Sequence, residues 1–267
     1  RYFMEQEKFS FNTNVVVTNP DYVINSQQLD FYSETGNAYL YGPSTITSET
    51  SKIYCERGYY DTRNDKGYFV KNSTVYYENR KLQGDSIYFN RNESFASATN
   101  NIKVTDTANQ SVIRGHYAEV FRDRDSLFIT KRALASMKQE QDSIHIHSDT
   151  LMITGKPENR IIRGFYHSKM YKSDMSGKCD SIHINEKTGL TQMIGNPVVW
   201  SANSQMTGDS IHLINDPTTE KMDSLKVFNN AFLVQKDSLM DNAYNQVKGE
   251  RLIGLFTNNQ LDTVNMI

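Results

Sequence analysis

Three histidines, His145, His183 and His212, sit in the same slot of a recurring phrase, between two apolar residues. Imidazoles repeated on neighbouring strands could form a ladder that holds a divalent metal. Tyr88 and Met152 fill that slot in other copies, so the slot does not demand imidazole and reads as an ordinary outer-face position. An aspartate recurs beside it, as Asp85, Asp142, Asp149, Asp180 and Asp209. Paired carboxylates can do acid/base work. A carboxylate that opens a strand once per copy is better explained as turn chemistry. No P-loop, GxGxxG, GxSxG or HExxH is present. Cys55 and Cys179 are too few for a disulfide framework and lack zinc-site spacing, so they read as isolated small thiols. These residues predict no catalytic group, no metal and no cofactor, and a binding or scaffold protein in place of an enzyme.

The elements that carry these residues are repetitive. The phrase is a small residue, then Asp-Ser, then an apolar-x-apolar alternation. It occurs as Gly84-Asp85-Ser86-Ile87-Tyr88-Phe89, Gln141-Asp142-Ser143-Ile144-His145-Ile146, Cys179-Asp180-Ser181-Ile182-His183-Ile184 and Gly208-Asp209-Ser210-Ile211-His212-Leu213. Variants start at Ser148 and Gly249. Unit starts at Gly84, Gly115, Ser148, Lys178 and Gly208 give intervals of 31, 33, 30 and 30 residues, with fainter units near Ser26 and Cys55. Gly249 follows Gly208 by 41 residues, so the last repeat carries an insertion.

Alternation between turn clusters about ten residues apart predicts short antiparallel strands. One unit reads as Asp85–Phe89, a turn at 90–93, Phe95–Ala98, a turn at Asn100-Asn101, and Ile102–Thr105. The best helix candidate, Arg132–Gln141, still reads as strand or loop. Period-two alternation places Ile87 and Phe89 on one face and Ser86 and Tyr88 on the other. Stacked units then align Ile87, Ile144, Leu151, Ile182 and Ile211 in one apolar ladder, beside Phe89, Ile146, Ile153, Ile184 and Leu213. Phe95, Ile102, Val104, Val198 and Trp200 are expected on a facing wall. One such unit cannot bury its apolar face alone, so neighbours must stack. The expected fold class is all-β: repetitive antiparallel strands in one elongated domain over 1–267, with an apolar interior strip.

Composition agrees with this. Apolar residues are 37%, weighted to 16 Tyr and 13 Phe, as in a thin fold rich in strands. Twenty-nine basic and 31 acidic residues are spread along the chain, with no basic block for nucleic acid. No segment approaches the roughly 18 apolar residues of a membrane span. Arg1-Tyr2-Phe3-Met4-Glu5 lacks the apolar core of a signal peptide, and the chain is expected to be a fragment of a longer protein.

Several phrases resemble the OstA-like lipopolysaccharide-transport family, in the versions found in Bacteroidetes-type bacteria. They are Asn14-Val15-Val16-Val17-Thr18-Asn19-Pro20, Tyr39-Leu40-Tyr41-Gly42-Pro43-Ser44-Thr45-Ile46, Ile53-Tyr54-Cys55-Glu56-Arg57-Gly58, the Gly84–Phe89 phrase, and Tyr244-Asn245-Gln246-Val247-Lys248-Gly249. The resemblance covers nearly the whole chain. It implies two facing sheets, a β-taco or β-jellyroll. It implies a periplasmic location, possible association with the outer membrane, and lipopolysaccharide carried with its acyl chains between the sheets. The partners it implies are lipopolysaccharide and other transport components, or a second copy. Free edges for strand addition are expected at Phe9–Thr18 and Arg251–Phe256.

Two other readings fit the residues. A structural or adhesive repeat protein with a closed core shares the same alternation. A β-solenoid carbohydrate-active protein has shorter coils than these ~30-residue units, whose hairpin turns favour antiparallel pairing.

Overall fold

The computed structural model describes residues 1–4, 7–138, 142–156, 159–219, 221–237, 239–240, 242–257 and 260–267. The chain divides into two compact units, Arg1–Lys131 and Arg132–Ile267. Strands are almost the only regular structure, as the alternation requires.

The first unit contains β1 (Tyr2–Phe3), β2 (Lys8–Thr18), β3 (Tyr22–Tyr32), β4 (Asn37–Ser48), β5 (Ser51–Asp61), β6 (Lys66–Tyr77), β7 (Arg80–Asn90), β8 (Phe95–Asp106) and β9 (Ser111–Phe121). A single 3₁₀ turn, Arg122–Arg124, leads into β10 (Ser126–Lys138). Each strand from β1 to β9 pairs antiparallel with the next. The Arg132–Gln141 segment is strand as far as Lys138, and its last three residues lie outside the described ones.

Each long strand bends at its middle. Pairing slips there by one residue, for example between Val70 and Ser73 and between Thr99 and Ile102. The bends alternate in chemistry. In β2, β6 and β8 two successive residues take left-handed backbone: Thr13-Asn14, Lys71-Asn72 and Asn100-Asn101. In β5, β7 and β9 the bend falls at a small residue, Cys55, Gly84 or Gly115. Two bent strands therefore make one repeat, which explains the ~30-residue period. Asn100-Asn101 is thus a bend inside β8, and the expected three short strands per unit are two long ones. Asn suits the bend because its short polar side chain tolerates left-handed backbone.

The bends divide the first unit into two limbs. On one, the cross-strand ladder runs Leu29, Leu40, Gly58, Phe69, Ile87, Ala98, Ala118. On the other it runs Ile24, Ile46, Ile53, Val75, Leu82, Val104, Ile113. Residues of both ladders belong to one core cluster, so the limbs pack face to face. Burial of each such Ile or Leu is worth ~1.5–3 kcal/mol. Small residues alternate with large ones where space demands it. A Cβ on Gly58 would lie 2.8 Å from the Phe69 ring.

The second unit contains β11 (Ser143–Thr154), β12 (Ile161–Phe165), β13 (Ser168–Tyr171), β14 (Met175–Cys179), β15 (Ser181–Asn185), β16 (Leu190–Ile194), β17 (Val198–Ser201), β18 (Ser204–Thr207), β19 (Ser210–Asn215), β20 (Met222–Lys236), β21 (Tyr244–Thr257) and β22 (Gln260–Met266). Here most bends interrupt the strand outright, so β12 with β13, or β14 with β15, equals one bent strand. One limb carries the ladder Leu151, Gly164, Ile182, Met193, Ile211, Val227, Leu252. The other carries Ile146, Met170, Gly177, Val199, Met206, Leu233. The phrase occurs twice on β11, once on each side of its bend. Ile144 and Ile146 therefore lie on the opposite limb from Leu151, Ile153, Ile182, Ile184, Ile211 and Leu213, and the expected common ladders are corrected accordingly.

The expected back edge is also displaced. Arg251–Phe256 is paired with β20 on one side and β22 on the other, which leaves β22 outermost. At the front, β2 is covered by β1 only at Lys8 and Phe9.

Candidate functional site: a cleft between two limbs

In the first unit the limbs part at the end opposite the bends. They leave a cleft of about 110 Å³. Ile46, Ile53, Val75 and Leu82 line it from one limb, and Tyr60, Phe89 and Ala96 from the other. Tyr60 and Phe89 stack with ring centroids 6.1 Å apart, and Phe69 continues the stack beneath Phe89 at 5.9 Å. The wall is thus aromatic on one side and aliphatic on the other. Such surfaces accept apolar groups without directional bonding.

The rim is polar and cationic. Arg91, in the β7–β8 turn, and Arg122, after β9, both border the cleft. The Arg122 guanidinium lies over the Tyr77 ring, 5.2 Å from its centroid. Asn90 ends β7 between them and is almost completely buried, yet its Oδ1 has no hydrogen-bond partner among the described residues. Asp65 is the nearby carboxylate and accepts a 2.8 Å hydrogen bond from the Tyr60 hydroxyl. Burial and that bond raise the Tyr60 pKa well above the phenol range, so the ring stays neutral.

The residues expected to form a lipid groove fall into four groups. Phe89 and Phe95 border this cleft. Phe95 does so from the strand end, with its ring against Tyr88 and Phe121. Ile144 and Leu213 line a much smaller space of about 20 Å³ between the limbs of the second unit. Ile87, Ile102, Ile146, Leu151, Ile153, Ile182, Ile184 and Ile211 are buried in packed core, with Val104 half-buried beside them. Val198 and Trp200 do not face inward. Val199 and Ser201 point into the core, which turns Trp200 outward, where its indole N–H donates to Gln205 Oε1 at 2.9 Å and Lys178 covers its ring. Asn90, Arg91 and Arg122 escaped the sequence reading. The only hint was Arg91 after an Asn, where the matching Asn185 and Asn215 are followed by Glu186 and Asp216.

The other candidate groups have structural work. Asp85, Asp149 and Asp209 bond across a bend to Asn101, His167 and Asn230, and Asp180 accepts from the Ser181 hydroxyl. Asp142 accepts from the Ser173 N–H and hydroxyl and from the Ser143 N–H, which hold its carboxyl at about 2. His183 and His212 share one outer ladder, joined through Gln192, whereas His145 lies on the other limb. No cluster of metal ligands occurs among the described residues. Cys55 and Cys179 are free and buried, and burial pushes their thiols up to about 12 and about 11. Both sit at bends as small core residues, Cys55 opposite Ser44 of the Ser26–Ser44 hydroxyl pair and Cys179 opposite Ser168 of the Ser148–Ser168 pair. No helix among the described residues is long and apolar enough to cross a membrane.

Comparison with known proteins adds a family match over part of the chain. No curated protein matches the chain. Among solved structures, the chain is similar to LptH from Pseudomonas aeruginosa, the LptA-homologous periplasmic component of a lipopolysaccharide transport device. That match has 9% identity and a TM-score of 0.25, and covers 63% of this chain and 93% of the other. Residues 137–221, which carry three full copies of the repeating phrase, match the family described as LptA/(LptD N-terminal domain) LPS transport protein. That segment, about a third of the chain, is what is similar to the lipopolysaccharide-transport domain.

Proposed function

We propose that this chain binds lipopolysaccharide by its acyl chains between the limbs of its bent strands. It would carry the lipid through the periplasm between the inner and outer membranes. The observation that carries this reading is the cleft itself, in a chain with this family's domain. It is walled by Ile53, Val75, Leu82, Tyr60 and Phe89 from both limbs and is open at the rim. Acyl burial is worth ~0.8 kcal/mol per CH₂, so retention grows with the length of chain sheltered between the limbs. No precise polar geometry is needed along the chain. A handover role would use an uncovered strand edge, of which β22 is the candidate at the back, to meet other transport components or a second copy.

A closed-core scaffold is the second reading. It is favoured by the second unit, where the space between limbs is only about 20 Å³. Photo-crosslinking separates the two. A photoreactive residue at Leu82, inside the cleft, should label lipopolysaccharide, and one at the exposed Tyr76 should not. Equal labelling from both, or none from either, would sink the acyl-chain reading. Labelling from Ile182 or Ile211 would show that the limbs of the second unit separate to admit lipid.

A further inference from the structure

The cleft mouth has its own chemistry, distinct from the apolar walls. Asn90 is only 2% exposed, and its side-chain Oδ1 is orphaned. A buried amide without a partner costs about 1–3 kcal/mol. Ser73, His147, His183 and Asn215 carry the other unpartnered buried polar atoms among the described residues, and of these five residues Asn90 is the one that borders the cleft beside two guanidiniums. The groups beside it are Arg91 and Arg122, two exposed guanidiniums that border the same opening. Neither has a carboxylate partner among the described residues. The neighbouring carboxylate, Asp65, is engaged by the Tyr60 hydroxyl. Tyr77 holds the Arg122 guanidinium over its ring at the rim. An orphaned amide flanked by two unpaired guanidiniums is complementary to an anionic group that also offers a hydrogen-bonding neighbour.

We infer that Asn90, Arg91 and Arg122 form a headgroup site that takes the phosphate of a phosphorylated lipid, while the lipid's chain occupies the cleft below. The two guanidiniums meet the phosphate oxygens. The Asn90 amide meets the adjacent polar linkage, a hydroxyl or an amide, where the headgroup joins the chain. This inference rests on the acyl-chain reading and assigns its polar end. The second unit repeats the unpartnered amide oxygen at Asn215 but lacks the cations, because Glu186 and Asp216 follow the corresponding asparagines. Headgroup recognition is therefore confined to the first unit.

The test uses the full chain, a fluorescent fatty acid seated in the cleft, and lipid A with and without its phosphates. Phosphorylated lipid A should displace the dye at lower concentration than the dephosphorylated form. Arg91→Ala with Arg122→Ala should weaken displacement by phosphorylated lipid A at least tenfold and leave the dephosphorylated form unchanged. Both arginines are exposed, so the fold should survive. Asn90→Leu should weaken both lipids while the melting temperature stays level or rises, because an unpaired buried amide is removed. A double arginine variant that keeps the preference for phosphate would overturn the inference alone. Failure of either lipid to displace the dye from the unaltered chain would overturn the acyl-chain reading with it. Binding of inorganic phosphate to the unaltered chain as tight as that of phosphorylated lipid A, and lost in the double variant, would make the site one for free anions and overturn the lipid assignment. A fall in melting temperature for Asn90→Leu with unchanged affinity would make Asn90 a structural group and remove it from the site.

Discussion

Tyr22 and Tyr60 come from opposite limbs of the first unit and meet edge to face, with ring centroids 5.6 Å apart. The contact closes one side of the cleft. A space of about 110 Å³ is smaller than the roughly 150 Å³ dry cavity that admits benzene, so an acyl chain must part the limbs. Tyr22→Ala removes an aromatic pair worth about 0.5–1.5 kcal/mol beyond the apolar area it buries and should lower stability by at least that much. The same change should speed uptake of a fluorescent fatty acid in stopped-flow mixing. Unchanged uptake would show that the Tyr22–Tyr60 contact does not gate the cleft.

Asn101 donates its side-chain amide to both carboxylate oxygens of Asp85 across neighbouring bends, at 3.1 and 2.9 Å. Asn230 with Asp209 and Asn72 with Glu56 repeat the arrangement. The recurring acid is thus a bend clasp. Asn101→Ala loses the bond and keeps a Cβ in left-handed backbone at φ +50°, a conformation that costs about 1–2 kcal/mol without the polar side chain that lets Asn tolerate it. Asn101→Gly loses only the bond and should cost less. Urea denaturation should rank the wild type first, then Gly, then Ala. If Gly proved the worse of the two, backbone strain would not be what Asn relieves.

The strand alternation was legible because period two fixes which side chains face inward, and Ile87, Ile182 and Ile211 went to the core as expected. The bends were not legible. Asn100-Asn101 has the composition of a hairpin turn, and nothing local distinguishes a turn that reverses the chain from a bend that redirects it. The two phrases on β11 therefore looked like successive repeats, although a bend separates them onto facing limbs. Trp200 was misplaced for a related reason. Its facing depends on where alternation restarts after the Gly195-Asn196 break, and only the pairing of Val199 with Gly177 sets that parity. The rim was invisible because Asn90, Arg91 and Arg122 meet through three-dimensional spacing between turns 31 residues apart.

The outer ladder of the second unit gives a pH dependence. Burial first, and then Arg163, lower the pKa of His183, and burial and Lys226 do the same for His212. Both imidazoles are therefore held neutral in the fold below the ordinary value of about 6.5. The unfolded chain takes up protons before the folded one does, so this contribution to stability is complete above about pH 6.5. It declines as pH falls from there through the lowered folded pKa values. The melting temperature should fall between pH 7 and pH 5, and His183→Gln with His212→Gln should flatten that slope. An unaltered slope in the double variant would assign the acid sensitivity to other groups.

Gly67 sits opposite Phe89 on the aromatic wall of the cleft. A Cβ there would lie 2.6 Å from the Phe89 ring and 2.7 Å from that of Phe69. Phe89 lines the cleft and Phe69 stacks against it, so neither ring can yield without moving the wall. Gly67→Ala should therefore cost about 1–3 kcal/mol through overpacking. It should also push Phe89 toward the opposite limb and weaken binding of a fatty-acid probe. Phe89→Leu replaces the rigid ring with a smaller, adaptable side chain and should relieve the clash, so the two changes should be non-additive in stability. Strict additivity in a double-mutant cycle would mean that Gly67 is required by the backbone and not by the ring it leaves room for.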